Sequence, residues 1–212
     1  LVEKAKVNIM KKVYLGVLLC MLIFGACTKN GFIKTGLSNG RFDGNMMEYF
    51  KAHSYDWDST VLLIEKAGLV DLFEGKEDKE ITFFGPTNHS IRKWMLATDI
   101  EAIAELDTDF CRETLLRYVV VGKFMRDDIP KGKQATSGVY GDGGITLTAK
   151  KGNKIWAFTF VDSYNGVEGM GATRLYITSV AKEKKIDVAS TNIESDNGVV
   201  HSLHYNHQFG DM

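Results

Sequence analysis

Proline is nearly missing from this sequence: Pro86 and Pro130 are the only two in 212 residues. With 44% hydrophobic residues as well, the chain is not a disordered or linker-rich one. An excess of charge is missing too. The formal net charge is −1, which leaves no strong field for nucleic acid or an anionic membrane surface. Cysteine is scarce, with Cys20, Cys27 and Cys111 alone. Repeats and low-complexity tracts are absent. What remains is one domain's worth of chain with enough apolar mass for a core.

Residues 10–27, MKKVYLGVLLCMLIFGAC, begin with two lysines and continue into an apolar run from Val13 to Ala26. Small residues Gly25 and Ala26 then lead into Cys27. That order reads as a secretory signal. A short N-terminal anchor is the alternative, but the run falls short of the roughly 20 residues that span a bilayer. A cysteine at the processing site resembles the bacterial lipoprotein signal, in which that cysteine carries lipid. The resemblance implies lipid attachment at Cys27, a membrane as partner and an envelope location. Thr28 after it fits the outer membrane. LVEKAKVNI, before Met10, reads as upstream of the true start. Residues 1–27 are thus expected to be leader, 28–42 a glycine-spotted tether, and 43–212 a single domain.

With Cys20 lost in the leader and Cys27 lipidated, Cys111 is left as a lone thiol. It shares a helical face with Leu115 and Tyr118, so it reads as a small buried hydrophobe and not a nucleophile.

The first half of the domain is helical. Asp43 is expected to cap a short helix carrying Met46, Met47 and Phe50. Asp58 or Ser59 is expected to cap a second helix that ends near Ala67 at Gly68. EITFFGPT, 80–87, reads as a buried strand stopped by Gly-Pro, with Thr87 or Asn88 capping the helix after it. Ile100, Ile103 and Ala104 repeat a helical pattern. Asp107 caps one more helix, which runs into the strand Val119–Val121. From residue 145 the chain turns to strands: GITLTAK, KIWAFTFV, RLYITSV, KIDVAST and GVVHSLHY. Helices first and strands later, without βαβ alternation, predict an α+β fold.

Four stretches occur in the order and spacing of the fasciclin-like (FAS1) domain. STVLLIEKAGLVDLFEG resembles its opening helix, and ITFFGPTNHSI its first signature. LLRYVVVGK is similar to its centre, and VASTNIESDNGVVHSLH to its second signature. The resemblance spans about residues 44–207. It implies a wedge of β-sheet with helices packed around it. It also implies no catalytic residue, no cofactor and no metal, with adhesion or binding of extracellular protein or glycan as the role. Its signature positions fall on Thr82, Pro86, Thr87, Tyr118, Asn197, Gly198 and His201. Physical reasoning gives them structural work. Pro86 ends a strand, Thr87 can cap a helix, and Asn197-Gly198 supplies positive φ at a hairpin. The chain departs from the family at Val119, where a histidine would follow Tyr118, at Asn192 in place of aspartate, and at His204. Receptor adhesion through those elements therefore does not carry over.

Other candidates are weighed against plainer readings. His201, His204 and His207 crowd one segment, but strand alternation puts His204 opposite the other two, whereas a zinc site needs all three within about 2.1 Å of one ion. His204 and His207 are then expected in solvent or a loose tail. A metal-dependent hydrolase built on them is the outlying alternative. Asp56-x-Asp58 lacks the rest of a calcium loop. Gly166, Gly169 and Gly171 lack the Gly-Lys-Ser/Thr of a phosphate loop. Asp127-Asp128 reads as a turn before Pro130. Trp156, Phe158 and Phe160 share a strand parity expected of core. Tyr164 lies outside that strand, in the long excursion 162–174, and is the candidate contact for a sugar or protein surface. An accessory glycan-binding role in polysaccharide uptake is the second functional reading.

Overall fold

The computed structural model describes residues 40–134 and 140–212. The signal, Cys27 and the tether up to residue 39 lie outside the described residues.

Helices α1 (Met46–Ala52), α2 (Ser54–Lys66) and α3 (Val70–Phe73) open the domain, and strand β1 (Ile81–Gly85) follows. Next come α4 (Asn88–Ala97), α5 (Thr108–Leu116) and β2 (Val119–Val121). Then β3 (Gly132–Lys133), β4 (Asp142–Gly143), β5 (Ile145–Thr148) and β6 (Lys154–Val161) are laid down. β7 (Thr173–Ser179), β8 (Lys184–Ser195) and β9 (Gly198–Leu203) complete the fold. The expected α+β order is what the chain adopts.

Seven strands form one sheet in the order β2-β1-β9-β8-β7-β6-β5, and β3 pairs with β4 apart from it. Only β1 and β9 run parallel within the large sheet, with Phe83 opposite Val200. The sheet curls until its edges meet: Val120 beside β1 bridges to Ala149 just past β5, and Lys150 N–H donates to Val119 C=O at 2.8 Å. One apolar cluster fills the space between the curled sheet and the helices. Trp57, Ile64, Phe73, Phe83, Leu115, Ile155 and Ile177 are all within it and essentially inaccessible. β1 is buried along its whole length, as its apolar run and central place in the sheet require.

Three helix starts differ from expectation. The cap of α1 is Asn45 and not Asp43: Asn45 Oδ1 accepts from Glu48 N–H at 2.9 Å, and Glu48 Oε2 accepts from Asn45 N–H at 2.8 Å. This reciprocal box needs an acid three residues on, which Asp43 lacks. α2 begins at Ser54, so Asp58 and Ser59 lie inside it. Burial of Trp57, Thr60 and Ile64 on one face outweighs the missing cap, and His53 makes no side-chain bond there. Thr87 sits at the start of α4, but its hydroxyl makes no cap. Asn88 works instead on α2, accepting from Ser59 N–H at 2.7 Å and donating to Tyr55 C=O at 2.8 Å. Asp107 does cap α5, accepting from Phe110 N–H at 2.8 Å. The helical pattern at Ile100–Ala104 yields only a 3₁₀ turn, Ile103–Glu105.

The folded part also starts earlier than the expected tether boundary. Residues 40–42 lie along β8: Phe42 N–H donates to Glu194 C=O at 2.8 Å, and the Arg41 guanidinium reaches Glu194 and Asp196.

Trp156 and Phe158 are buried, but not in the core. Alternation along β6 sends Ile155 and Ala157 inward and the two aromatics outward. There residues 129–134 and 140–144 cover them, with Trp156 Nε1–H donating to Gly143 C=O at 3.1 Å. Gly144 is required for that cover, because a Cβ on it would stand 2.6 Å from Trp156 Nε1. Phe160, further along the same face, is 41% exposed.

Candidate functional site

Most signature positions lie in three internal ties. At the first, Thr82 Oγ1 donates to Gly122 C=O at 2.7 Å and accepts from Phe124 N–H at 2.9 Å. His201 Nε2–H donates to Phe124 C=O at 2.9 Å, which leaves Nδ1 to accept from Asn192 N–H at 3.4 Å. Asn192, at φ 61, turns its side chain so that Oδ1 accepts from Arg126 N–H at 2.7 Å. Asparagine tolerates that left-handed backbone, and the register of β8 against β9 shifts around it. The loop 122–126 is thus held from β1, β8 and β9 together. The His201 ring is fully buried and stacks on Phe84, and burial pushes its imidazole down to about 4. A buried neutral imidazole with both nitrogens engaged is a structural group and has no lone pair to offer a metal.

At the second tie, Asn197 Oδ1 accepts from Met46 N–H at 2.8 Å, and Nδ2–H donates to Phe73 C=O at 2.9 Å. A single amide thereby joins α1, α3 and the β8–β9 turn. The positive φ expected of both Asn197 and Gly198 belongs to Gly198 alone, at 145°. Its need for glycine is spatial as well: a Cβ would lie 1.9 Å from Ile81 C=O on the parallel neighbour β1. Pro86 contributes its carbonyl, which accepts from the Thr60 hydroxyl at 2.8 Å.

Tyr118 and His207 form a third tie that overturns the expectation of a loose tail. His207 is 4% exposed, and its Nε2 lies 2.8 Å from the fully buried Tyr118 hydroxyl. Gly210 N–H donates to the same hydroxyl at 3.0 Å. The phenol proton is then free to go to His207 Nε2. Phe209 stacks on Tyr118 and meets Trp94 edge-on, so the last residues plug the space between α4 and α5. Burial raises the Tyr118 phenol far above its ordinary range and pushes His207 down to about 4.

The three C-terminal histidines therefore do not converge. His201 faces Phe84 and His207 faces Tyr118, while His204 stands against Tyr205. No group of three metal-ligating side chains occurs among the described residues. Cys111 is buried, and burial pushes its thiol up, away from the thiolate. Asp128 uses its carboxylate on Met125 N–H at 2.9 Å, and Asp127 pairs with Arg126.

Exposed apolar side chains and surface clefts lie elsewhere. The 162–171 excursion has its own hydrogen bonds. Gly171 N–H donates to Asp162 C=O at 2.8 Å at the neck. Tyr164 and Val167 exchange N–H and C=O bonds at 3.0 and 2.9 Å at the tip. Asn165 and Gly166, at φ 48 and 80, make the tip a type I′ turn. The side chains of Tyr164, Val167 and Met170 project into solvent, at 65%, 56% and 69% exposure. Beside them a cleft of about 780 Å³ is lined by Phe160, Asp162, Ser163, Glu168 and Lys133. A second, more apolar groove of about 990 Å³ lies between α2, α4 and residues 99–104. Sequence reasoning reached Tyr164 but missed Phe160 as an exposed residue and missed the groove. The I′ signal Asn165-Gly166 and the unburied leucines Leu62 and Leu96 were the available clues.

The molecule is thus a curled sheet with helical cover, with exposed apolar side chains on the 162–171 excursion and along a groove between two helices. The fasciclin domain family matches residues 56–205, more than half of the chain, and the chain belongs to that family. It is a family of adhesion-type domains. Among solved structures, the chain is similar to the FAS1 domain pair of the insect cell adhesion molecule fasciclin I, at 16% identity with a TM-score of 0.46. That match covers 69% of this chain and 45% of the insect one. No curated protein matches. No helix among the described residues is long and apolar enough to cross a membrane.

Proposed function

We propose that the chain is a non-enzymatic binding module of the bacterial cell envelope. Lipid on Cys27 tethers it at the outer membrane, and its fasciclin domain engages an extracellular protein or glycan through the 162–171 excursion. The observation that carries this reading is the built tip of that excursion. Its own hydrogen bonds and I′ turn hold an aromatic, an aliphatic and a thioether side chain with most of their surface in water. Exposed apolar side chains gathered on an ordered projection favour a partner. Thr82, Tyr118, Asn197, Gly198 and His201 are occupied inside, so they leave contact work to other positions. Arrays of glycans and of extracellular-matrix proteins test the proposal. Binding that is lost on Tyr164→Ala with an unchanged melting temperature supports it, and binding indifferent to that change refutes it. Radiolabelled palmitate incorporated by the native chain and not by Cys27→Ser tests the anchor.

A second reading, an accessory glycan-binding protein of polysaccharide uptake, is favoured by the cleft beside the excursion. Phe160 offers an aromatic platform next to Asp162, Ser163 and Glu168, which can accept hydrogen bonds from sugar hydroxyls. Glycan-importer genes beside this one, and array signals confined to glycans, would distinguish it from protein adhesion.

A further inference from the structure

The groove between α2 and α4 is separate from the excursion and carries its own argument. α4 presents Arg92, Met95 and Leu96 towards it, and Asp99 follows just beyond the helix end. Arg92, Met95 and Leu96 share one face of the helix at i, i+3 and i+4, and Asp99, at φ 54 beyond its end, lines the same groove, whose edge therefore reads cation, two apolar side chains, carboxylate. Leu96 is 70% exposed, and Leu62 of α2, across the groove, is 47% exposed. Neither Arg92 nor Asp99 has an ion-pair partner among the described residues.

We propose that this groove is a two-fold interface with a second copy of the chain. A stripe that reads positive, apolar, apolar, negative is complementary to itself when two copies lie antiparallel. Arg92 of each copy then meets Asp99 of the other, and the two Leu96 side chains cross near the axis into the opposing grooves. Such an isologous contact closes at two copies. The groove's other charges, Lys66 and Glu101, balance as well, so its lining carries no net charge to select a purely anionic or cationic ligand. A mixed-charge, apolar-centred partner is what the groove fits, and the chain itself supplies one.

The test is sedimentation of the full chain over a hundredfold range of concentration, with charge-reversed variants. The native chain is expected to dimerise. Arg92→Asp and Asp99→Lys are each expected to weaken the dimer at least about tenfold, since two symmetric attractions become repulsions. Mixing the two variants should restore dimerisation, because Asp at 92 of one then meets Lys at 99 of the other. Leu96→Glu should abolish it. All three positions changed here are on the surface, and circular dichroism of each variant confirms that it is folded. A native chain that is monomeric throughout overturns the proposal. So does a dimer that survives Arg92→Asp, or a pair of variants that stay apart on mixing. A different protein bound in the groove of a monomeric chain also counts against it.

Discussion

The hydroxyl of Tyr118 lies 2.8 Å from Nε2 of His207, and the two residues are 89 positions apart in the chain. This bond draws the C-terminal segment onto the helices, and Gly210 N–H completes the hydroxyl's hydrogen bonding. Phe209 and Met212 are then almost wholly buried. Tyr118→Phe keeps the packing but leaves His207 Nε2 and Gly210 N–H without their partner. A loss of roughly 1–3 kcal/mol is expected, read by urea denaturation. The earliest change on raising urea should be amide exchange at 204–212, since the tail is held by few other bonds.

Acid should loosen the same tie. His201 and His207 both titrate near 4 in the folded chain, against 6.5 when unfolded. Between those values the unfolded chain binds more protons, so stability rises with pH and falls as pH drops. The contribution is complete above about pH 6.5, declines through the window and levels off below about 4. Each histidine accounts for about 3 kcal/mol over the whole window. Denaturation curves at pH 7 and pH 5 check this, with His207→Gln expected to flatten the slope between them. An equal slope in native and variant chains would remove His207 from the account.

Gly198→Ala should be among the most damaging single changes. Its Cβ would press against Ile81 C=O at 1.9 Å and part the only parallel strand pair of the large sheet. A loss of at least about 4 kcal/mol is expected, seen as insoluble or unfolded protein. Gly68 gives the contrast. It sits at φ 62 after α2 with nothing within 4 Å of a Cβ, so Gly68→Ala should cost only about 1 kcal/mol.

The Arg126–Asn192 contact offers a smaller, local test. Asn192→Ala removes the acceptor of Arg126 N–H and places a less tolerant residue at φ 61. Roughly 1–2 kcal/mol should be lost. Exchange at Phe124–Asp128 should rise without any change in the excursion at Tyr164.

Much of the fold was legible because its local signals agree with its packing. Asp107 capped α5 as its spacing required, and Gly-Pro stopped β1. Cys111, Leu115 and Tyr118 shared one buried face. The misses have physical causes. Asp43, Asp58 and Thr87 are all good caps by type, but a capping box at Asn45 and the buried face of Trp57 decided the helix starts, and Asn88 is spent on α2. Strand alternation applies only up to Leu203, where β9 ends, so it reaches His201 and does not place His204 or His207. Beyond it the chain turns back, and His207 found Tyr118 through a contact that no local pattern encodes. The same limit hid the groove, because Leu62 and Leu96 are unremarkable until α2 and α4 are placed side by side. Trp156 and Phe158 read as core by parity, yet the sheet has a second covered face, made by residues 129–134 and 140–144, which no local pattern of the strand reveals.

Binding through the excursion, with the signature residues confined to holding the fold, is most directly tested by one comparison. Native chain and Tyr164→Ala are applied to the same arrays of glycans and extracellular-matrix proteins, with melting temperatures measured alongside. The account predicts that Tyr164→Ala melts within about 2 °C of the native chain and loses the native signals. Native signals retained in full by Tyr164→Ala would contradict it.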